Sequence, residues 1–182
     1  MNAMVTKFEK FEWLTHGLTV RSSGFDPYVR GTGERLNYQD RLGAIAAMDT
    51  QLAKSVTALI VFENKTASDY EYVRQHLADI FIAQAVRDKK REPERIAMYH
   101  LAWLVARMVL DFVLDPDVEE NYTAKGRLAY AGIHRHQLNV ESYRKTWKAY
   151  ENLMVKTLEA AIEEAEVMIE QYRKNTYKNM HN

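Results

Sequence analysis

The chain has 182 residues, and its 25 lysines and arginines are balanced by 25 aspartates and glutamates. Hydrophobic residues make up 47% of the sequence, which excludes an intrinsically disordered chain and allows a sizeable core. There is no cysteine, so disulfides, cysteine-ligated zinc and thiol catalysis are excluded. The most apolar stretch, residues 96–114, contains Arg107 and Asp111, so we predict neither a membrane span nor a membrane partner. The first residues carry no apolar signal-peptide core, and we expect an intracellular protein.

Glycine and proline divide the chain into an N-terminal arm and a helical domain. Three glycines and one proline fall between Arg21 and Gly33, so residues 1–36 are expected to form an arm or loop. Residues 37–182 are predicted to be a single all-helical domain, because apolar residues recur there at spacings of three and four. The predicted fold class is all-α: a helical bundle with a helix-turn-helix-like C-terminal half and a long C-terminal helix.

Five helices are expected in this domain. In chain order they run from Asn37 to a turn at residues 64–66, from Ser68 or Asp69 to the charged stretch 87–91, from Pro93 to Asp115, from Thr123 to Gly132, and from Asn139 to Asn175. The third helix is apolar nearly all round, so we expect it to be central and its His100 to be a buried core histidine.

The common enzyme signatures are absent. Residues 31–36 lack the third glycine of a dinucleotide fingerprint, and the chain has neither a nucleophile elbow nor a His-Glu-x-x-His pair. His134 and His136 do not share a helix face, which favours exposed turn residues over metal ligands. We therefore predict no catalytic residues, no metal and no cofactor. A small helical-bundle enzyme with a site assembled from distant residues stays open as a third interpretation.

The clearest local signal is a candidate helix-turn-helix at residues 123–150. In this motif the N-terminal turns of the second helix face the major groove, so polar and basic residues belong there. That zone is filled here by Asn139, Ser142, Arg144, Lys145 and Lys148. Two aromatic residues, Tyr143 and Trp147, are spaced to point inward. A turn between two helices of any bundle gives a similar pattern, so DNA binding and a plain bundle are both open at this point.

Charge is segregated along the same half of the chain. From Asn121 to Tyr150 six lysines and arginines stand against one glutamate, a net charge of +5. From Glu151 to Gln171 six glutamates stand against one lysine, a net charge of −5, and the last eleven residues return to +3. A local basic excess favours phosphate contacts, so the overall neutrality does not count against a nucleic-acid partner. A basic helix face paired with the acidic stretch beside it would give the same count.

The acidic part of the last helix carries an apolar seam. Its members are Leu158, Ile162, Ala165, Ile169 and Tyr172, which follow a spacing of four and three residues. Such a heptad seam is typical of a contact between two helices. It covers only about two heptads, so packing within the chain and a homodimer through this helix are both open.

The last 60 residues resemble the C-terminal part of phage late-gene antitermination proteins of the lambda Q type. The resemblance lies in a short helix with Arg127-Leu-Ala-Tyr, a polar turn, an aromatic-marked helix (Tyr143, Trp147, Tyr150) and the Glu- and Ala-rich stretch from Ala160 to Glu166. A looser similarity extends upstream over most of the chain. Lambda-type members carry a Cys-x-x-Cys zinc-binding insert between the two helices. This chain has no cysteine, so it would be a zinc-free relative or else a different phage protein with a similar C-terminal end.

The resemblance implies a DNA-binding transcription regulator of a phage or prophage, acting in the cytoplasm of a bacterial host. It implies double-stranded DNA near a late promoter as one partner and a paused RNA polymerase, made resistant to terminators, as another. In this chain the DNA contacts would fall on Lys125, Arg127, Arg135, Gln137, Asn139, Ser142, Arg144, Lys145 and Lys148. The alternative is a helical phage protein that dimerises or docks through the apolar seam without binding DNA.

Overall fold

The computed structural model describes residues 8–19, 38–62 and 67–180, and all regular structure within these ranges is helical. The predicted all-α fold class and the long C-terminal helix are confirmed. In chain order the helices are α1 (Glu9–Thr19), α2 (Tyr38–Ala46), α3 (Gln51–Val61), α4 (Ala67–Arg87), α5 (Met98–Leu114), α6 (Pro116–Glu120), α7 (Ala124–Ala131), α8 (Val140–Ser142), a π-helical turn (Tyr143–Trp147) and α9 (Lys148–Met180).

The segment expected to be an arm contains a helix. Residues Glu9–Thr19 form α1, because Phe11 and Leu14 lie one turn apart and bury the same face. Residues 20–36, which hold the glycines and proline that motivated the arm, lie outside the described residues. The boundary predicted between residues 36 and 37 lies outside them as well.

The first predicted helix of the domain is in fact two helices, α2 and α3. The chain breaks at Thr50, whose hydroxyl oxygen accepts a hydrogen bond from Ala53 N at 3.1 Å and so caps α3. The backbone N–H and the hydroxyl of Thr50 both donate to the carboxylate of Glu164, each at 2.9 Å. Glu164, which is distant in the sequence, thus helps to hold Thr50 at the break between α2 and α3. The predicted start at Asn37 and the turn at residues 64–66 lie outside the described residues.

The α4–α5 loop is longer than expected, because α5 begins at Met98 and not near Pro93. Glu92 explains the later start, since its Oε1 accepts a hydrogen bond from Met98 N at 2.6 Å. At the other end of the loop, Lys89 adopts a left-handed conformation with φ of 53° and closes α4. The sequence prediction that Pro93 belongs to the first turn of α5 was therefore wrong.

Helix α7 follows the predicted boundaries and α8 begins where the last helix was predicted to begin, since both caps are local in sequence. The Thr123 hydroxyl accepts from Gly126 N at 3.2 Å, and Gly132 ends α7 in a left-handed conformation with φ of 87°. The Asn139 side-chain oxygen then accepts from Ser142 N at 2.8 Å and starts α8. The chain continues through the π-helical turn into α9 without a break.

The chain divides into two compact units, Met1–Thr66 with Ile162–Asn182, and Ala67–Ala161. In the first unit α3 packs against α1 and α2. In the second unit α5 packs against α4, α6 and α7, so it is central there as predicted. His100, expected in the core, is exposed at the N-terminal end of α5. Among the helices described, none combines the length and apolar character needed to cross a lipid bilayer.

Candidate nucleic-acid interface

The second helix of the 123–150 segment is oriented by its aromatic residues. Tyr143, Trp147 and Tyr150 are buried, as the spacing predicted for the first two. The Trp147 ring stacks parallel to Phe81 of α4 at 5.6 Å between centroids, and Tyr150 lies 5.3 Å from the same ring. The Tyr150 hydroxyl also donates to Asp88 Oδ2 at 2.8 Å. Because the aromatic face is held against α4, the opposite face of this helix points to solvent.

Glu151 is the centre of a buried charge cluster beneath that helix. Its side chain is 1% exposed. The Tyr143 hydroxyl donates to Oε2 at 2.5 Å, and both Arg127 Nη2 and Lys148 Nζ lie 2.5 Å from Oε1. Arg127 makes a further ion pair with Glu119. Burial and the charge of Glu151 raise the pKa of Tyr143 well above its ordinary value, so the phenol stays protonated and donates to the carboxylate.

Arg127 and Lys148, which the sequence suggested for DNA contact, are both ion-paired with Glu151 within the protein. Burial lowers the pKa of Arg127, but the hydrogen bonds and charges of Glu119 and Glu151 outweigh burial and raise it overall. The guanidinium also lies over the Phe112 ring at 5.0 Å. Since both cations neutralise a buried carboxylate, two of the six basic residues counted between Asn121 and Tyr150 are committed to the protein itself.

The remaining basic residues of the predicted set are exposed. Lys125, Arg135 and Arg144 are exposed and make no hydrogen bond or ion pair with another residue of the described ranges. Lys145 pairs with Glu141 on the same helix at 3.3 Å, with both side chains about two-thirds exposed or more. Such a surface pair contributes little energy and opens readily. These four cations are available to a ligand.

The polar residues of the predicted set shape the turn. Gln137 Oε1 accepts a hydrogen bond from His134 N at 3.0 Å, and Asn139 caps α8. Ser142 is half-buried beside them. The side-chain oxygens of Gln137 and Asn139 are therefore used within the protein, and their amide nitrogens are the groups left to bind a ligand.

Sequence reasoning missed two arginines that lie near this turn. Arg91 and Arg95, from the α4–α5 loop, line a cleft together with Arg135 and His136. Arg95 Nη1 donates to the backbone carbonyl of His136 at 3.1 Å. The charged stretch 87–91 was visible in the sequence as a signal, but nothing local showed that the loop meets a turn 41 residues further along.

The two turn histidines stack on each other, with His134 and His136 at 5.5 Å between ring centroids. Both are exposed. Nowhere in the described ranges do three or more histidine, aspartate or glutamate side chains come together as metal ligands would.

The apolar seam of α9 is packed within the chain. Leu158, Ile162, Ala165 and Ile169 are buried. Tyr172 is half-buried and lies 6.4 Å from the Trp13 ring of α1. A homodimer through this seam would have to expose these residues first, so the burial favours the intrachain interpretation.

The acidic part of α9 is also partly used within the chain. Glu164 accepts the two hydrogen bonds from Thr50, and Glu166 pairs with Lys10 at 3.0 Å. Glu170 pairs with Lys174 at 2.8 Å on the same helix. Glu151, Glu166 and Glu170 of this acidic stretch are therefore each paired with a cation.

Comparison of the chain with protein-family models, with curated proteins and with solved structures finds no match in any of the three.

Proposed function

We propose that this chain is a DNA-binding transcription regulator that contacts duplex DNA through the 123–150 segment. The observation that carries the proposal is the orientation of the second helix. Its aromatic face is held against α4, while Arg144 and Lys145 lie outside that face and are exposed to solvent. A helix that is anchored on one side and basic on the other is suited to lie along a groove lined by phosphates.

The charge distribution supports the same proposal after correction for the internal ion pairs. Four exposed cations lie within one stretch of 21 residues: Lys125 at the start of α7, Arg135 in the turn, and Arg144 and Lys145 of the second helix. The nearest strongly buried carboxylate, Glu151, is already compensated by two cations and a phenol. The exposed cations therefore remain available for phosphate oxygens, which are acceptors for both lysine and arginine.

We propose more specifically that the chain is a late-gene antiterminator of a phage or prophage that also engages RNA polymerase. This proposal rests on the resemblance of the last third of the chain to lambda Q-type proteins, with DNA and polymerase as the two partners. Transcription in vitro from a template with a late promoter and a downstream terminator tests it. Read-through that depends on this protein is expected, and termination unchanged by its addition would refute the antitermination role while leaving DNA binding open.

The DNA-binding role is tested with the double variant Arg144→Gln/Lys145→Gln. Neither side chain is buried and neither belongs to the Glu151 cluster, so the variant is expected to fold as the wild type does. Its affinity for duplex DNA should fall by about tenfold or more, since two phosphate contacts are lost. The matched control is Lys156→Gln, which removes an exposed cation from α9 outside the 123–150 segment. Equal affinity of the double variant and this control would refute the proposed interface.

A further inference from the structure

A polar cleft of about 440 Å³ lies between the α4–α5 loop and the turn before α8. The residues that matter for its chemistry are Arg91, Arg95, Arg135, His136, Ser142 and Thr146. Arg91 and Arg95 belong to the loop and are absent from the set that the sequence proposed for DNA. The cleft therefore adds a second basic element beside the exposed face of the second helix.

The cleft is positively charged. Three arginines line it, against one carboxylate, Glu94. Arg91 and Arg135 make no ion pair or hydrogen bond within the described ranges, and Arg95 is bound to a neutral backbone carbonyl. Because three arginines face one carboxylate and none of them forms an ion pair within the described residues, the cleft keeps a net positive charge that an anion can compensate.

The walls of the cleft are held in place by contacts on both sides. Arg95 Nη1 donates to the His136 carbonyl at 3.1 Å and so joins the loop to the turn. Asp88, just before the loop, accepts the Tyr150 hydroxyl at 2.8 Å, and Glu92 accepts Met98 N at 2.6 Å. These bonds fix the loop at three points, so little ordering of the backbone is required when a ligand binds.

The donor set fits a tetrahedral oxyanion. A guanidinium offers a fork of N–H donors that matches phosphate oxygens, and the hydroxyls of Ser142 and Thr146 add single donors on the helix side. Phosphate groups take several such donors at once, and the charge-assisted bonds they form are stronger than neutral ones. The rest of the lining mixes polar and apolar groups, so the three guanidinium groups are what favours an anion.

We propose that the cleft binds a phosphate group of the nucleic-acid backbone next to the contacts of Arg144 and Lys145. This inference rests on the proposed DNA-binding function for the source of the phosphate. The phosphate chemistry itself rests on the cleft. Free inorganic phosphate is the other source of the same group, and the experiment separates the two.

The first arm measures duplex DNA affinity over a salt series for the variant Arg91→Gln/Arg95→Gln. The slope of log K against log salt should be smaller by about one than for the wild type, since each neutralised phosphate contributes about 0.9 to that slope. The double control is Lys54→Gln/Lys156→Gln, which removes two cations that make no ion pair within the described ranges. If loss of the Arg95–His136 bond unfolds the double variant, the same measurement is made on Arg91→Gln alone, because Arg91 makes no such bond.

The second arm compares thermal unfolding in inorganic phosphate and in chloride at equal ionic strength. A ligand that binds only the folded state raises the unfolding temperature, so phosphate should stabilise the wild type and the double control but not the cleft variant. A cleft variant that matches the control in both arms would overturn the inference and leave the DNA interface of the second helix standing. If the wild type binds no duplex DNA but phosphate stabilises it through these arginines, the proposed function fails and the phosphate site stands. If neither ligand binds, both fail.

Discussion

Arg127 Nη2 lies 2.5 Å from Glu151 Oε1, an ion pair that joins α7 to the first turn of α9 across the intervening turn. The pair changes the meaning of the charge pattern. Arg127 and Lys148 are both counted in the basic stretch from Asn121 to Tyr150. Both neutralise Glu151, the first residue of the acidic stretch. What remains exposed is a smaller set of cations, on which the proposed function depends.

Glu151→Gln is expected to lower the free energy of unfolding by about 2 to 3 kcal/mol. The substitution keeps the shape of the side chain but removes the charge that compensates Arg127 and Lys148. The neutral amide also accepts hydrogen bonds from the three donors less well than the carboxylate does. Urea unfolding followed by circular dichroism measures the loss. Glu159→Gln is the control, because this exposed glutamate is on the same helix and should change stability by less than about 0.5 kcal/mol. Equal stability of the two variants would show that the buried cluster does not stabilise the fold.

Lys89→Gly is expected to stabilise the protein by about 0.5 to 1 kcal/mol, because Lys89 adopts a left-handed conformation that costs a non-glycine residue about 1 to 2 kcal/mol. Gly132 occupies the equivalent position at the end of α7, with φ of 87°. Gly132→Ala should therefore destabilise by about 1 kcal/mol or more, although a Cβ there would lie 3.9 Å from Leu104 and fits the space. Thermal unfolding of both variants checks the opposite signs, and a destabilising Lys89→Gly would contradict the explanation.

Stability is expected to fall at alkaline pH because of tyrosines. Burial and a hydrogen bond to a carboxylate raise the pKa of Tyr130 and of Tyr150 to about 12, and burial with the Glu151 charge raises that of Tyr143. In the unfolded chain tyrosine ionises at about pH 10, so above that pH the unfolded state binds fewer protons than the folded state. The free energy of unfolding is thus intact below about pH 10 and falls as the pH rises towards about 12.

Tyr143→Phe tests one part of this pH dependence. The variant should be less stable at neutral pH by about 1 to 3 kcal/mol, since Glu151 loses a donor, but should lose less on going from about pH 9 to 11 than the wild type does. Urea unfolding at a series of pH values gives both numbers. A wild-type stability that is constant over this interval would contradict the prediction.

Ile169→Asp is expected to unfold the protein and not to dissociate a dimer. Ile169 is 1% exposed, so a carboxylate there would be buried without a partner, and a loss of about 4 kcal/mol or more is expected. Val167 is 51% exposed on the same helix, and Val167→Asp is the control with little effect. Urea unfolding and sedimentation over a range of concentrations measure the two variants. A folded Ile169→Asp monomer derived from a dimeric wild type would instead support the dimer interpretation of the seam.

The sequence predicted the helix ends at Thr123, Gly132 and Asn139 but missed the break at Thr50 and the start of α5 at Met98. Thr123, Gly132 and Asn139 cap or end their helices with bonds to residues a few positions away, so the pattern is readable along the chain. The break at Thr50 depends in part on Glu164, which is 114 residues away in the sequence. The start of α5 depends on Glu92, whose role the stronger signal of Pro93 concealed.

The candidate site shows the same limit. The exposed cations Arg144 and Lys145 and the inward Trp147 follow from helical spacing alone. The ion pair between Arg127 and Glu151 cannot be predicted from that spacing. The two residues are 24 positions apart, and the pair forms only because the fold brings their helices together. The Lys148–Glu151 pair is three residues apart and was within reach of sequence reasoning. The position of Arg95 against His136, 41 residues apart, was beyond it.

The most direct test of DNA binding by the exposed cations is the salt dependence of wild-type affinity for duplex DNA. Four cations of the 123–150 segment remain available, so log K should fall with log salt with a slope of about −3 or steeper. The arginine and lysine side chains concerned are Lys125, Arg135, Arg144 and Lys145. A slope in that range is the expected result. The absence of duplex binding at about 50 mM salt, or an affinity that does not change with salt, would contradict it.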